Sequence, residues 1–270
     1  MRVALWLVLL AVAAFAVVSL LAFAFQRRLL YFPARLSEPD AVALAKRLGL
    51  EPWRSSDGAL RGWRTSPASP PRARVLVFHG NAGAAVDRAY YAAALVPRGL
   101  SVSILEYPGY GARAGAPSED TIAAAAVEAV DALAAEGPEP VLLLGESLGS
   151  GVAARAARLR PTAVRGVFLV TPFARLADVA RLHYRFLPAF LLRDRWAPVD
   201  DLERFPGPTA ILVAGRDEVV TAEQGRALFT ALRGSKRLWE QPGATHNGLD
   251  LRPESPLWDE VMAFLGVGGS

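Results

Sequence analysis

The sequence of 270 residues contains no cysteine. That absence excludes a disulfide framework, a thiolate nucleophile and a cysteine-ligated zinc site, and it is compatible with either side of a membrane. Histidine is scarce, with three residues, so a reaction that needs an imidazole has few places to find one. Concentrated charge is also missing. The net charge of +4 comes almost wholly from scattered arginines, with no basic run interleaved with aromatics. Nucleic-acid binding is therefore not expected. A mildly basic surface near anionic lipid is a better use of that charge. No internal repeat is visible, and the length allows one α/β domain with a sizeable core plus an appendage.

The appendage is N-terminal. From Val3 to Phe25 no residue is charged, and Ser19 is the only polar one. About 23 residues at 1.5 Å each reach roughly 34 Å, enough to cross a bilayer core. A buried globular helix would keep a polar face, and this segment has none. Ala22-Phe23-Ala24 fits the small-x-small rule of a cleaved signal. The apolar run is longer than a signal core, however, and Arg27-Arg28 follow at once, which favours an uncleaved anchor over 3–25. Arg2 lies on one side of it and Arg27, Arg28 and Arg35 on the other. By the positive-inside count this tilts toward a cytoplasmic domain, by a margin that leaves the side open. A juxtamembrane segment, 26–50, holds the apolar Leu29-Leu30-Tyr31-Phe32-Pro33, placed either in the interface or on the domain.

The remainder, 51–268, reads as one domain. Trp53 to Trp63 predicts a hairpin turned at Asp57-Gly58, and 65–72 is a proline-rich surface loop. Short apolar strands then alternate with helices: strands at 75–78, 102–106, 141–144, 167–170, 209–214 and 237–240, with helices between them. This alternation predicts a mostly parallel sheet buried on both faces, flanked by helices, with an antiparallel edge. One stretch, about 172–208, lacks an obvious strand and carries Phe186-Leu187-Pro188-Ala189-Phe190-Leu191-Leu192. It is either a helical pair packed over the sheet or a short cap whose apolar face lines an acyl pocket or touches lipid.

The chemistry centres on VLLLGESLGSG at 141–151. An apolar strand runs into Gly145-Glu146-Ser147-Leu148-Gly149, and a small-residue helix follows, which is the strand–turn–helix context of a nucleophile elbow. The five-residue pattern alone is weak; its flanks give it weight. A serine hydroxyl needs a positioned base. In this architecture the order is serine, acid, histidine. Of the three histidines, His79 precedes Ser147 and His183 lies in the cap stretch, leaving His246 on a strand-end loop as the base. Asp217, at the end of the strand before it, is the acid that orients His246, with Glu218 as the fallback. The oxyanion needs backbone donors. Leu148 N–H supplies one, and the loop 78–83 supplies the other from Asn81, with Ala82 as the alternative. His79 and Gly80 shape that loop. A glycine-bearing loop before a helix can also hold phosphate, but there is no Walker lysine and no G-x-G-x-x-G. No metal or other cofactor is expected.

FHGNAG at 78–83, EYPGYG at 106–111, GESLGS at 145–150, TPF at 171–173, GRDEVV at 215–220 and the His246 loop together resemble α/β-hydrolase serine hydrolases. More narrowly, the chain is similar to the membrane-anchored, short-cap branch called the bud-emergence-like or abhydrolase-domain-13-like group. The resemblance implies Ser147, Asp217 and His246 as a triad. Two departures stand out. Many relatives have Asp-Tyr-Arg where this chain has Glu106-Tyr107-Pro108, and Asn247 follows His246. The leading expectation is a membrane-anchored serine hydrolase of ester, thioester or lipid acyl bonds. A serine peptidase of the same fold and a non-catalytic membrane-tethered binding module are the alternatives.

Overall fold

A computed structural model describes residues 1–65, 70–185 and 188–268. Part of the proline-rich loop (66–69) and Phe186-Leu187 of the cap stretch lie outside the described residues. The chain opens with helix α1, Arg2–Leu30, none of whose residues is buried. It is long and apolar enough to cross a membrane. The helix passes the expected end at Phe25 because its last turns are gripped by the cap. Gln26 Nε2 donates to the Leu191 carbonyl at 3.1 Å, and the Arg27 fork donates to Asp194 at 3.0 and 3.1 Å. The next residues dock on the domain. Strand β1, Phe32–Pro33, pairs in parallel with Ala82–Gly83, and Tyr31 is buried beside it.

Helix α2, Glu38–Arg47, is started by Ser37, whose hydroxyl accepts the Asp40 N–H. Strands β2 (Glu51–Arg54) and β3 (Leu60–Arg64) form the expected hairpin. Then come β4 (Ala73–Phe78), β5 (Ala82–Gly83), α3 (Ala89–Leu95), β6 (Leu100–Leu105) and α4 (Glu119–Ala135). Strand β7 (Val141–Glu146) leads into α5 (Leu148–Leu159), followed by β8 (Val164–Val170), α6 (Leu176–His183) and the one-turn α7 (Pro198–Asp201). The chain ends with β9 (Thr209–Ala214), α8 (Ala222–Ala231), β10 (Lys236–Gln241) and α9 (Leu257–Phe264).

The main sheet has eight strands in the order β10-β9-β8-β7-β4-β6-β3-β2. All neighbours are parallel except β3, which runs antiparallel to both β6 and β2. The α/β architecture read from the alternation is present, with the hairpin as its antiparallel edge. Val75, Val77, Leu142 and Leu144 point to one face and pack with α2, α3 and α9. Leu76, Leu143, Leu169 and Ile211 point to the other and pack with α4, α5 and α8. This period-two division is why every residue of β4 and β9 is buried. The sheet order reverses beside β4, where β6 extends one way and β7 the other. The loops after β4 and β7 therefore face each other at the C-terminal edge, where open α/β sheets gather their ligands.

Candidate active site

Ser147 sits between β7 and α5 with φ 52° and ψ −117°, a conformation costly for any residue with a side chain. The flanking glycines make the turn possible. A Cβ at Gly145 would fall 2.4 Å from the Gly149 carbonyl oxygen, and one at Gly149 would fall 2.1 Å from the Phe78 carbonyl oxygen. Helix α5 can thus press directly on β4. The turn is pinned by the Ser147 N–H, which donates to the Val170 carbonyl at 2.9 Å.

The expected partners converge on this hydroxyl. His246 Nε2 lies 3.2 Å from Ser147 Oγ, and His246 Nδ1 lies 2.7 Å from Asp217 Oδ2. Asp217 is itself fixed, because its Oδ1 accepts the N–H groups of Val219 and Val220 at 2.8 and 2.7 Å. Glu218 takes a different part and accepts the His246 backbone N–H at 3.3 Å. His183 is drawn to the same loop, with Nε2 2.8 Å from the Val219 carbonyl oxygen.

The loop after β4 stands against Ser147, since a Cβ on Gly80 would lie 3.7 Å from the Ser147 Cβ. The Asn81 carbonyl accepts from Phe32 N–H at 2.8 Å and from the Tyr110 hydroxyl at 2.7 Å, and its side-chain amide donates to the Leu30 carbonyl at 2.9 Å. Its own N–H has no partner among the described residues. Leu148 is the first residue of α5, so its N–H is one of the helix's unpaired leading donors.

Beneath this loop lies a buried polar pair. His79 is fully enclosed and stacks on Tyr107 at 3.9 Å between ring centres. Burial, reinforced by the nearby Arg88 charge, lowers its pKa to about 3, so its ring is neutral. Nδ1 meets the Gly80 carbonyl at 2.8 Å. Glu106, the departure from Asp, is also enclosed. Burial raises its carboxyl to about 7 against the opposing N–H donors of Ala85 and Trp63. Its Oε1 lies 3.9 Å from His79 Nε2.

Sequence reasoning left Glu146, the variable residue of the elbow, without a role. It accepts from Arg88 Nε at 3.0 Å and from the hydroxyls of Tyr90 and Tyr91. Glu146, Arg88 and Tyr90, with His246 and Arg252, border a cleft of about 490 Å³. A second cavity of about 440 Å³ lies between α1 and α6 and reaches Asn81 and Val219. Alternating strands and helices mark the sheet but carry no sign of these two flanks.

The family described as serine aminopeptidase S33 matches residues 69–197. An uncharacterized protein of Mycobacterium tuberculosis is 36% identical over 248 residues, covering 89% of this chain and 87% of its own. The chain belongs to the α/β-hydrolases. Within that family it is similar to the lysophosphatidylserine lipase ABHD12 of Mus musculus, at 29% identity over 68% of this chain and 51% of that protein. This α/β-hydrolase therefore spans about half the length of that relative. Among solved structures, the Pyrococcus furiosus esterase Pf2001 superposes with a TM-score of 0.63 at 18% identity, covering 88% of this chain and 97% of that one. The Paleococcus ferrophilus monoacylglycerol lipase gives 0.54 at 22%, covering 76% and 98%. At these identities the likeness speaks to fold.

Proposed function

We propose that this hydrolase is a membrane-anchored serine enzyme that cleaves carboxylic ester, thioester or lipid acyl bonds through an acyl-enzyme. The observation that carries the reading is the continuous chain Asp217–His246–Ser147, at 2.7 and 3.2 Å, ending on a hydroxyl held in a strained turn. With Nδ1–H donated to Asp217, the His246 Nε2 lone pair accepts the Ser147 proton as Oγ attacks the substrate carbonyl. The Leu148 and Asn81 N–H groups receive the resulting oxyanion. Collapse expels the alcohol or thiol, which takes the proton from the His246 imidazolium. Water then attacks the acyl-enzyme with His246 again as base, releasing the acid and restoring Ser147.

Esters are favoured over peptides on two grounds. Three of the similar proteins, one relative and two solved structures, are lipases or esterases by name. An aminopeptidase, as the matched family is described, needs a free carboxylate for the substrate ammonium. Of the carboxylates bordering the two cavities, Glu146 is paired with Arg88 and Asp194 with Arg27. Anchoring through α1 rests on its length and its lack of any polar face. Turnover of an ester panel tests the reaction. Ser147→Ala and Asp217→Asn are each expected to lower kcat by roughly 10⁴-fold with circular dichroism unchanged. Full turnover by a folded Ser147→Ala variant would contradict it.

A further inference from the structure

The cavity between α1 and α6 has an unusual construction. One wall is the proposed membrane anchor, through Phe23, Leu29 and Leu30, and the other is the cap, through Leu176, Val179 and Leu192. From Leu30 down to Ala22 it follows α1 for about 12 Å. Its outer end therefore lies within the uncharged run that extends to Phe25. Its inner end is bounded by Asn81 and Val219, residues on the loops that carry the proposed oxyanion donor and the acid Asp217. One end is on the uncharged part of α1 and the other is at the loops that hold Asn81 and Asp217.

Most of the polar side chains along this path are turned to the protein; the Tyr184 hydroxyl at its rim is not. Gln26 is spent on the Leu191 carbonyl and the Arg193 N–H, and Asp194 is spent on Arg27. The Asn81 side chain holds the Leu30 carbonyl, and His183 meets the Val219 carbonyl. A polar ligand would find those bonds already made and would lose its own hydration without return. An aliphatic chain loses nothing of the kind and gains about 0.8 kcal/mol per buried methylene. The volume of about 440 Å³ suits one acyl chain better than two.

We infer that this groove is an acyl-chain site built jointly by the anchor and the cap, and that it takes a single-chain amphiphile directly from the leaflet in which α1 lies. The carbonyl is then presented to Ser147, while the headgroup side faces the cleft bordered by Arg88, Glu146 and Arg252. This inference rests on the proposed hydrolase reading and on anchoring through α1. It adds that the anchor is part of the substrate site rather than a tether alone.

The test uses the full chain in phosphatidylcholine vesicles and has two readouts. The first is the ratio of kcat/KM for p-nitrophenyl myristate to that for the acetate. Filling either wall with Leu29→Trp or Ala180→Trp is expected to lower this ratio roughly tenfold or more. An unchanged ratio in either variant overturns the two-walled groove. The second needs neither turnover nor a variant: a diazirine-bearing fatty acid, photolysed in the same vesicles, is expected to label peptides containing Leu29 and Val179. Absence of label from both overturns the groove even where acetate is hydrolysed. Label on both with no acetate hydrolysis upholds the groove and counts against the proposed reaction alone.

Discussion

Asp217 and Glu218 stand side by side after β9, and their surroundings give them different work. The Asp217 carboxylate is nearly enclosed and is aimed at the imidazole by two backbone N–H donors, while Glu218 reaches only the backbone of His246. A second contrast lies below the loop after β4, between His79 and Glu106. Enclosing Glu106 raises its carboxyl from 4.5 to about 7. The folded state then holds a proton that the unfolded chain releases, so this stabilisation is complete below pH 4.5 and is lost as pH rises through about 7. The loss amounts to about 3 kcal/mol. His79 acts in the opposite sense, because its depressed pKa makes stability fall as pH drops from 6.5 toward about 3. Comparing Glu106→Gln with the parent isolates the first effect. Urea unfolding in detergent is expected to show the variant gaining about 3 kcal/mol relative to the parent between pH 4.5 and pH 7.5. A difference that is flat with pH would contradict a protonated, enclosed Glu106.

At the scale of elements, helix α1, the segment around Asp194 and the loop after β4 are tied into one assembly. Helix α1 ends on Asp194 through Arg27, and β1 pairs with β5 just beyond Asn81. The cap returns to α5 through the fully buried Trp196, whose Cβ would lie 2.8 Å from a Cβ placed on Gly151. Removing Arg27 leaves Asp194, only 3% exposed, without its countercharge. A double-mutant cycle with Arg27→Leu and Asp194→Leu is expected to show a coupling of about 1–3 kcal/mol in thermal unfolding. Additive effects would mean that the pair does not hold the segment around Asp194 to α1. The larger elements were legible in the sequence because periodicity and turn residues announce them, as with Asp57-Gly58 and the apolar runs of β4, β7 and β9. The two-residue pairing of Phe32-Pro33 with Ala82-Gly83 was not, since it is too short to carry any alternation. The apolar stretch beginning at 186 was legible only as either a packed helical pair or a cap, and the place of Pro188, Leu191 and Leu192 in a groove wall was not, because burial and pocket lining leave the same signal.

Across the whole molecule, the proposed reaction depends on residues that the chain order and the strand ends bring together. That is why Ser147, Asp217 and His246 could be selected from the sequence by their positions alone, and why all three meet at the C-terminal edge of the sheet. What could not be read were contacts between distant segments with no local signature. Arg27 meets Asp194 across 167 residues, and Glu146 gathers Arg88, Tyr90 and Tyr91 through side chains whose facing depends on α3 packing. The central claim is that Ser147 is a nucleophile activated by His246. Fluorophosphonate labelling of the full chain in detergent, followed by peptide mass mapping, tests it most directly. The account predicts one phosphonyl adduct, on Ser147, whose formation slows at least a hundredfold in a folded His246→Ala variant. An adduct on another residue, or none on the folded parent, would contradict it.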